Sequence, residues 1–189
     1  VSKMVSLTQV VHQDWIDTRD VFVSSSGNSA TSSLNMLTND FIYYFEKGLR
    51  TNKFGIPAGV FSANNTRPLN VEAYYNSNIS KLLSLEALNA VKNFFNGQSY
   101  NSTSSGKSFK HYIEYITENT VLSNAIITRF DEANQLINGL NDNFVSQINS
   151  NNSLMIDVFH KLQEGVILLK VDMLSVLSIS VDYIDADGD

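Results

Sequence analysis

The 189-residue chain has no cysteine. That excludes disulfides and thiolate metal sites, while leaving the cellular compartment open. Its only two prolines, Pro57 and Pro68, fall within one stretch, 52–70, so no proline interrupts helices elsewhere. Basic residues number 13 against 19 acidic ones, for a net charge of −6, and they do not cluster. A phosphate-tracking surface needs basic patches, so nucleic acid is not an expected partner. No apolar run has the length and purity of a membrane span, since the best one, 166–181, contains Lys170 and Asp172. Ser-His-Asp spacing, a phosphate-cradling glycine-rich loop and H-E-x-x-H are all missing. What remains is a chain 43% hydrophobic and 11% aromatic, which is ordinary for a packed core. At this length one domain, or two small ones, buries roughly 70% of the extended chain's surface.

The strongest pattern lies near the C-terminus. Met155, Phe159, Leu162, Val166, Leu169, Met173 and Val176 recur at alternating steps of four and three, the seam of a helix. A strand alternates every second residue and cannot keep that rhythm. From Val166 to Val181 only Lys170 and Asp172 are charged, so this helix, expected over 152–183 and ~45 Å long, is predicted to be buried on more than one side. Gly165 within it implies close approach of another backbone.

The other segments follow the same period. Met4, Leu7, Val11, Trp15 and Phe22 predict a first amphipathic helix over 3–23, with Trp15 either stacked under Arg19 or serving as a core anchor. Leu34, Leu37, Phe41, Phe45 and Leu49 predict a second helix ending near Arg50. Gly55, Pro57, Gly59 and Pro68 make 52–70 a shaped, non-helical loop, followed by a short helical turn over 70–75. A third helix spans 79–95 with Gly97 as its stop, and Phe109, Tyr112, Ile113 and Ile116 mark a short fourth. From Thr120 a stripe through Leu122, Ile126, Phe130, Ala133, Ile137, Leu140 and Phe144 predicts one long helix, which 150–153 turns back, antiparallel, into the last. The expected fold is an all-α antiparallel helical bundle around a long C-terminal helix, occupying 1–189 as one domain.

Few residues carry candidate chemistry. Lys170 and Asp172 lie about 200° apart on their helix and cannot pair with each other. Buried, each needs a partner from another element; Glu72 is the candidate for Lys170. His111 and Glu114 share a helical face, so they are either a half-site for a metal or a solvent-facing pair. Asp182, Asp185, Asp187 and Asp189 crowd the C-terminus, where they form a solvated tail or are relieved by a cation or a basic neighbour. D-A-D-G-D is not an EF-hand loop, because Gly188 falls at position four rather than six and no Glu follows.

Four segments together resemble the imelysin family: K-F-G-I-P-A-G at Lys53–Gly59, P-L-N-V-E-A-Y-Y at Pro68–Tyr75, L-L-K-V-D-M at Leu168–Met173 and D-Y-I-D-A-D-G-D at Asp182–Asp189. The chain is similar to the C-terminal half of imelysin-like proteins of Bacteroides-type bacteria. The resemblance implies an exported protein, often a lipoprotein at the periplasm or cell surface, built from two helical-bundle halves. Some members were described as peptidases and others are linked to iron uptake. The family signature, G-x-H-x-x-E, belongs to the N-terminal half; here Phe109 stands where glycine would precede His111 and Glu114, so that pair is not the signature. The expectation is a chain beginning after that half, with Glu72 and, more weakly, Ser80 as site-facing positions beside Lys170 and Asp172. It is expected to be inactive alone and to form one wall of a site shared with the N-terminal half. The cofactor is unknown; a metal ion (iron, zinc or calcium) is the candidate, with His111, Glu114, Asp185 and Asp187 as its candidate ligands. The alternatives are a metallopeptidase and a structural or docking module.

Overall fold

A computed structural model describes residues 1–27, 29–99 and 104–183. Among them are seven helices of two turns or more and no strand beyond one isolated bridge, Gln98 to Ser105. They are α1 (Ser2–Ser24), α2 (33–58), α3 (Ser80–Asn96), α4 (Phe109–Thr117), α5 (Val121–Asn138), α6 (Phe144–Asn151) and α7 (153–177). Two short 3₁₀ segments, Pro68–Asn70 and Tyr74–Ile79, the second kinked at Asn76, link α2 to α3.

Helices α2, α3, α5 and α7 form an up-down-up-down four-helix bundle. Cross-helix contacts give the directions. Lys92 pairs with Asp131 while Lys81 donates to the Leu140 carbonyl (3.0 Å), so α3 and α5 are antiparallel. Glu132 meets Lys161 at 3.2 Å and Arg129 meets Glu164 at 3.0 Å, which opposes α5 to α7. Asn39 donates to the Ser180 carbonyl and Asn152 to the Ala58 carbonyl, which opposes α7 to α2. Helix α4 closes one end of the bundle, while α6 and the 3₁₀ turns close the other. The all-α antiparallel bundle is therefore the fold.

The expected stripes make the core. Met155, Phe159, Leu162, Val166, Leu169 and Met173 of α7 are buried against Phe45 and Leu49 of α2, Leu88, Val91 and Phe95 of α3, and Ile126, Phe130 and Ile137 of α5. Phe130 sits at the centre, with ring centroids 5.3 Å from Phe45 and 5.9 Å from Phe95. Aromatic packing of this kind adds to area burial by roughly 0.5–1.5 kcal/mol per pair.

Five expectations need correction. First, α1 is a helix but not part of the bundle, for none of its residues is buried. Trp15 is 47% exposed and meets Phe22 edge-on at 5.2 Å, while Arg19 pairs with the adjacent Asp20 rather than the indole. Second, 52–58 is not loop. Helix α2 widens to π winding over Tyr44–Gly55 and runs on through Pro57 to Ala58. A widened turn moves the carbonyls that the pyrrolidine ring would otherwise strike. The true stop is Gly59, at φ +83°, where a Cβ would lie 2.6 Å from the Asn65 carbonyl oxygen.

Third, the helix expected over 120–144 breaks at 139–143. Asn143 takes the Ser146 amide, and Gln147 takes the Asn141 amide at 2.8 Å, so side chains outcompete the helical backbone there. The reversal into α7 is therefore spread over 139–152, with α6 inside it. Fourth, α7 ends at Leu177 rather than continuing to Tyr183, with Ser178 at φ +55°. Buried Asn39 captures the chain beyond, donating to the Ser180 carbonyl and accepting from the Asp182 amide. Exposed Ile167 and Val171, at 50% and 59%, show that α7 is not covered all round. Fifth, Gly165 admits the Phe45 ring, not a neighbouring backbone: a Cβ there would lie 3.0 Å from Phe45 Cζ.

Gly55 makes a sharper case, since its Cβ would stand 2.5 Å from Phe61 and 2.9 Å from Phe159. Alanine favours a helix by about 1 kcal/mol over glycine, but overpacking typically costs about 1–3 kcal/mol. Gly55→Ala is expected to lower stability in urea unfolding; a gain would show that the rings yield freely.

Candidate functional site

Two stretches of π winding, Tyr44–Gly55 in α2 and Leu168–Met173 in α7, carry most of the buried charge. Such winding is uncommon and concentrates at functional positions. Glu46 is wholly buried between the two helices. Lys170 Nζ approaches both its oxygens, at 3.4 and 3.3 Å, and Arg50 Nη2 lies 3.4 Å from Oε1. The Tyr183 hydroxyl donates to Oε2 at 3.0 Å. Aromatic faces complete the surroundings: the Arg50 guanidinium lies 4.9 Å from the Phe159 centroid, and Lys170 Nζ 5.3 Å from that of Tyr183. Tyr183 in turn stands edge-on to Tyr43 at 5.2 Å.

The ion contacts are longer than typical charge-assisted hydrogen bonds, so Coulomb attraction in a dry interior is their main contribution. A buried carboxylate is tolerated only with such compensation. Lys170 therefore does have a partner from another helix, but it is Glu46 rather than Glu72. Asp172, two residues on, is exposed and forms no part of this centre. Glu46 and Arg50 escaped the sequence reading. Their i,i+4 spacing with each other and with buried Ile42 was visible, but nothing in that spacing marks a charged pair as interior.

Glu72, in the turn between the two 3₁₀ segments, belongs to a second group whose other members, Lys53 and Tyr44, lie on the same π stretch of α2. It forms an ion pair with Lys53; the lysine side chain is 10% exposed and the carboxylate 46%. Val71, buried, anchors the segment before it, and Ala73 at φ +55° turns the chain after it, which leaves Glu72 at the surface. Ser80, almost fully buried, donates to the Glu72 carbonyl at 3.1 Å and the Ser77 carbonyl at 2.7 Å, so its hydroxyl fixes the turn leading into α3. Burial first, then the negative charge of Glu72, holds the Tyr44 phenol above its ordinary pKa. Tyr44 thus stays a neutral donor beside a half-exposed carboxylate and a lysine.

The remaining candidates do not converge. His111 Nδ1 lies 2.9 Å from Ser108 Oγ. Glu114 accepts from Ser123 at 2.6 Å and pairs with Lys110 at 3.2 Å; the Ser123 bond is the main cause holding its carboxyl below the usual range. Among the described residues no group of three or more histidines and carboxylates is placed to hold a metal ion. Asp185 and Asp187 lie outside the described residues.

Two outcomes follow from these geometries. Glu46→Ala strands buried positive charge and is expected to cost about 3–5 kcal/mol in urea unfolding, whereas exposed Asp172→Ala is expected to stay within about 0.5 kcal/mol; equal effects would contradict the buried centre. The contribution of Glu114 is present above the ordinary carboxylate pKa and lost as pH falls through its lowered folded value. Glu114→Gln is therefore expected to be less stable than the parent at neutral pH, with the gap closing in acid; a gap independent of pH would refute the assignment.

Comparison of the chain with protein-family models, curated proteins and solved structures finds no significant match, so the fold and the two charged groups stand on the chain's own residues.

Proposed function

We propose that this bundle is the C-terminal half of an imelysin-like protein of the cell envelope, a non-catalytic binding component linked to iron or other metal uptake. In this reading it faces the periplasm or cell surface as part of an exported lipoprotein and forms one wall of a site completed by an N-terminal half. Among the described residues no helix is long and apolar enough to cross a membrane, and anchoring by lipid needs none.

The observation that carries the proposal is Glu72. It is the acidic position the resemblance points to, and it is held half-exposed by Lys53 beside the neutral phenol of Tyr44. One carboxylate already paired with a lysine is a poor ligand set by itself. The residues here fit a supporting contact to a metal whose other ligands come from the second half. Glu72 then orients and charge-balances the bound ion, Tyr44 donates a hydrogen bond to its anionic or aqueous partners, and Lys53 keeps the carboxylate in place.

The reading as a docking module keeps a claim through α1, whose apolar side chains are uncovered. A metallopeptidase would use the same wall, with Glu72 assisting a metal held by the other half.

Calorimetric titration of the protein carrying both halves with ferrous, ferric, zinc and calcium ions tests the proposal. Binding at micromolar concentration by at least one ion is expected, weakened by about 10–100-fold in Glu72→Gln. No binding, or binding indifferent to Glu72, would remove the proposal; chelator-sensitive peptide cleavage would replace it with the peptidase.

A further inference from the structure

Glu72 stands at the surface, yet its place is set from a distance. Its ion pair with Lys53 leaves the carboxylate half-exposed, and such a pair contributes too little to order the surrounding turn by itself. Buried Val71 anchors the chain on one side of it. On the other side the anchor is the first turn of α3, because Ser80 Oγ bridges back to the Glu72 carbonyl at 3.1 Å.

That first turn has no capping side chain of its own. The amide of Lys81, the second residue of α3, is one of the donors a helix start leaves without an intrahelical partner. The Asp142 carbonyl accepts it at 3.2 Å, from the break between α5 and α6. Lys81 returns the contact. Its Nζ donates to the Leu140 carbonyl, just past the end of α5, and pairs with the Asp142 carboxylate. The start of α3 and the end of α5 therefore cap each other, with one lysine making the amide, carbonyl and carboxylate contacts. Asn143 adds a tie to the 3₁₀ segment before α3, donating to Asn78 Oδ1 at 3.0 Å. The break is itself braced, since buried Gln147 accepts the Asn141 amide and donates to the Asn151 carbonyl. The Asn141 side chain in turn accepts the Asn143 amide at 2.9 Å.

We propose that Lys81 is a positioning residue for Glu72: by holding the α5–α6 break it fixes the first turn of α3, and Ser80 passes that constraint to the Glu72 backbone. Among the described residues Lys81 pairs with Asp142 and not with Glu72, so its action runs through the backbone. The interruption of α5 then has a use, because an unbroken helix would not present the Leu140 and Asp142 carbonyls to α3. This rests on the reading above in taking Glu72 as the working carboxylate. The Tyr44 phenol beside Glu72 reports its position without any metal.

The test is the ionisation of Tyr44 in the 189-residue chain, followed by fluorine NMR with tyrosines fluorinated beside the hydroxyl. That label brings phenol titration below the range of lysine ammonium groups, and Tyr44→Phe assigns the resonance. Glu72→Gln should lower the Tyr44 pKa, because a negative charge that raises it is gone. Lys81→Met, which keeps the apolar stem and loses the ammonium contacts, should shift it in the same direction, and Lys81→Arg should restore the parental value. The sign is diagnostic: losing a positive charge would by itself raise a phenol pKa, so a fall comes through displacement of Glu72. Ser80→Ala, which alters no charge and removes the hydroxyl that carries the link, should also lower it and keeps the test open if Lys81→Met fails to fold. In the Glu72→Gln background neither substitution should shift Tyr44 further. A Tyr44 pKa that stays or rises in Lys81→Met and Ser80→Ala overturns the proposal. So does a fall that persists in the Glu72→Gln background, which would show that Lys81 only supports the burial of Tyr44. Should Tyr44 respond as expected while the protein carrying both halves binds no metal, the metal reading falls and the positioning stands.

Discussion

The carboxylate of Glu46, shut away from water between α2 and α7, constrains how the whole bundle assembles. An isolated carboxylate in that position would be too costly to keep ionised. Lys170 must therefore reach it from α7, Arg50 from the next turn of α2, and Tyr183 from the segment beyond α7. Each of these fixes something else. Lys170 sets the register of α7 against α2. Tyr183 requires the chain to leave helix at Ser178 and return along α2, a path Asn39 secures through both a carbonyl and an amide. Arg50 lies over Phe159, one of the rings that crowd Gly55. A single buried charge thus links helix register, the end of α7 and the close packing at the far end of α2.

The same π stretch of α2 supplies both groups of charged residues, with Glu46 and Arg50 turned into the interior and Lys53 and Tyr44 towards Glu72. The extra residue per turn changes which positions share a face. Structural charge and site-facing charge consequently alternate along one helix rather than segregating to different elements. The inner group is almost dry; the outer group ends in a carboxylate that solvent reaches. Function, on the proposed reading, belongs to the outer group, and the inner one keeps the platform rigid.

Much of the bundle could be read from the chain because burial follows apolar period. Met155 through Met173, and Ile126 through Ile137, are buried as their spacing requires. Gly97 ends its helix in the left-handed region as expected. What could not be read depends on competition between polar groups. Asn143 and Gln147 break a helix that its hydrophobic stripe would have continued, and Asn39 ends another by offering its own amide. Pro57 seemed a certain breaker, yet widened winding carries α2 through it. In the site, the need of Lys170 for a partner was legible from its apolar surroundings, but the partner's identity was not. Glu46 lay too far away in sequence, 124 residues from Lys170. Trp15 shows the opposite failure: an amphipathic period promises a covered face without saying which molecule covers it.

A double-mutant cycle between Glu46 and Lys170 probes the central ion pair most directly, with Glu46→Gln, Lys170→Met and their combination unfolded in urea. If the two helices are held through this pair, the double variant will be less destabilised than the sum of the singles by about 1 kcal/mol or more, within the range measured for contacting residues. Additivity within about 0.5 kcal/mol, the behaviour of independent sites, would mean that Glu46 and Lys170 do not interact and that something else sets the register of α2 and α7.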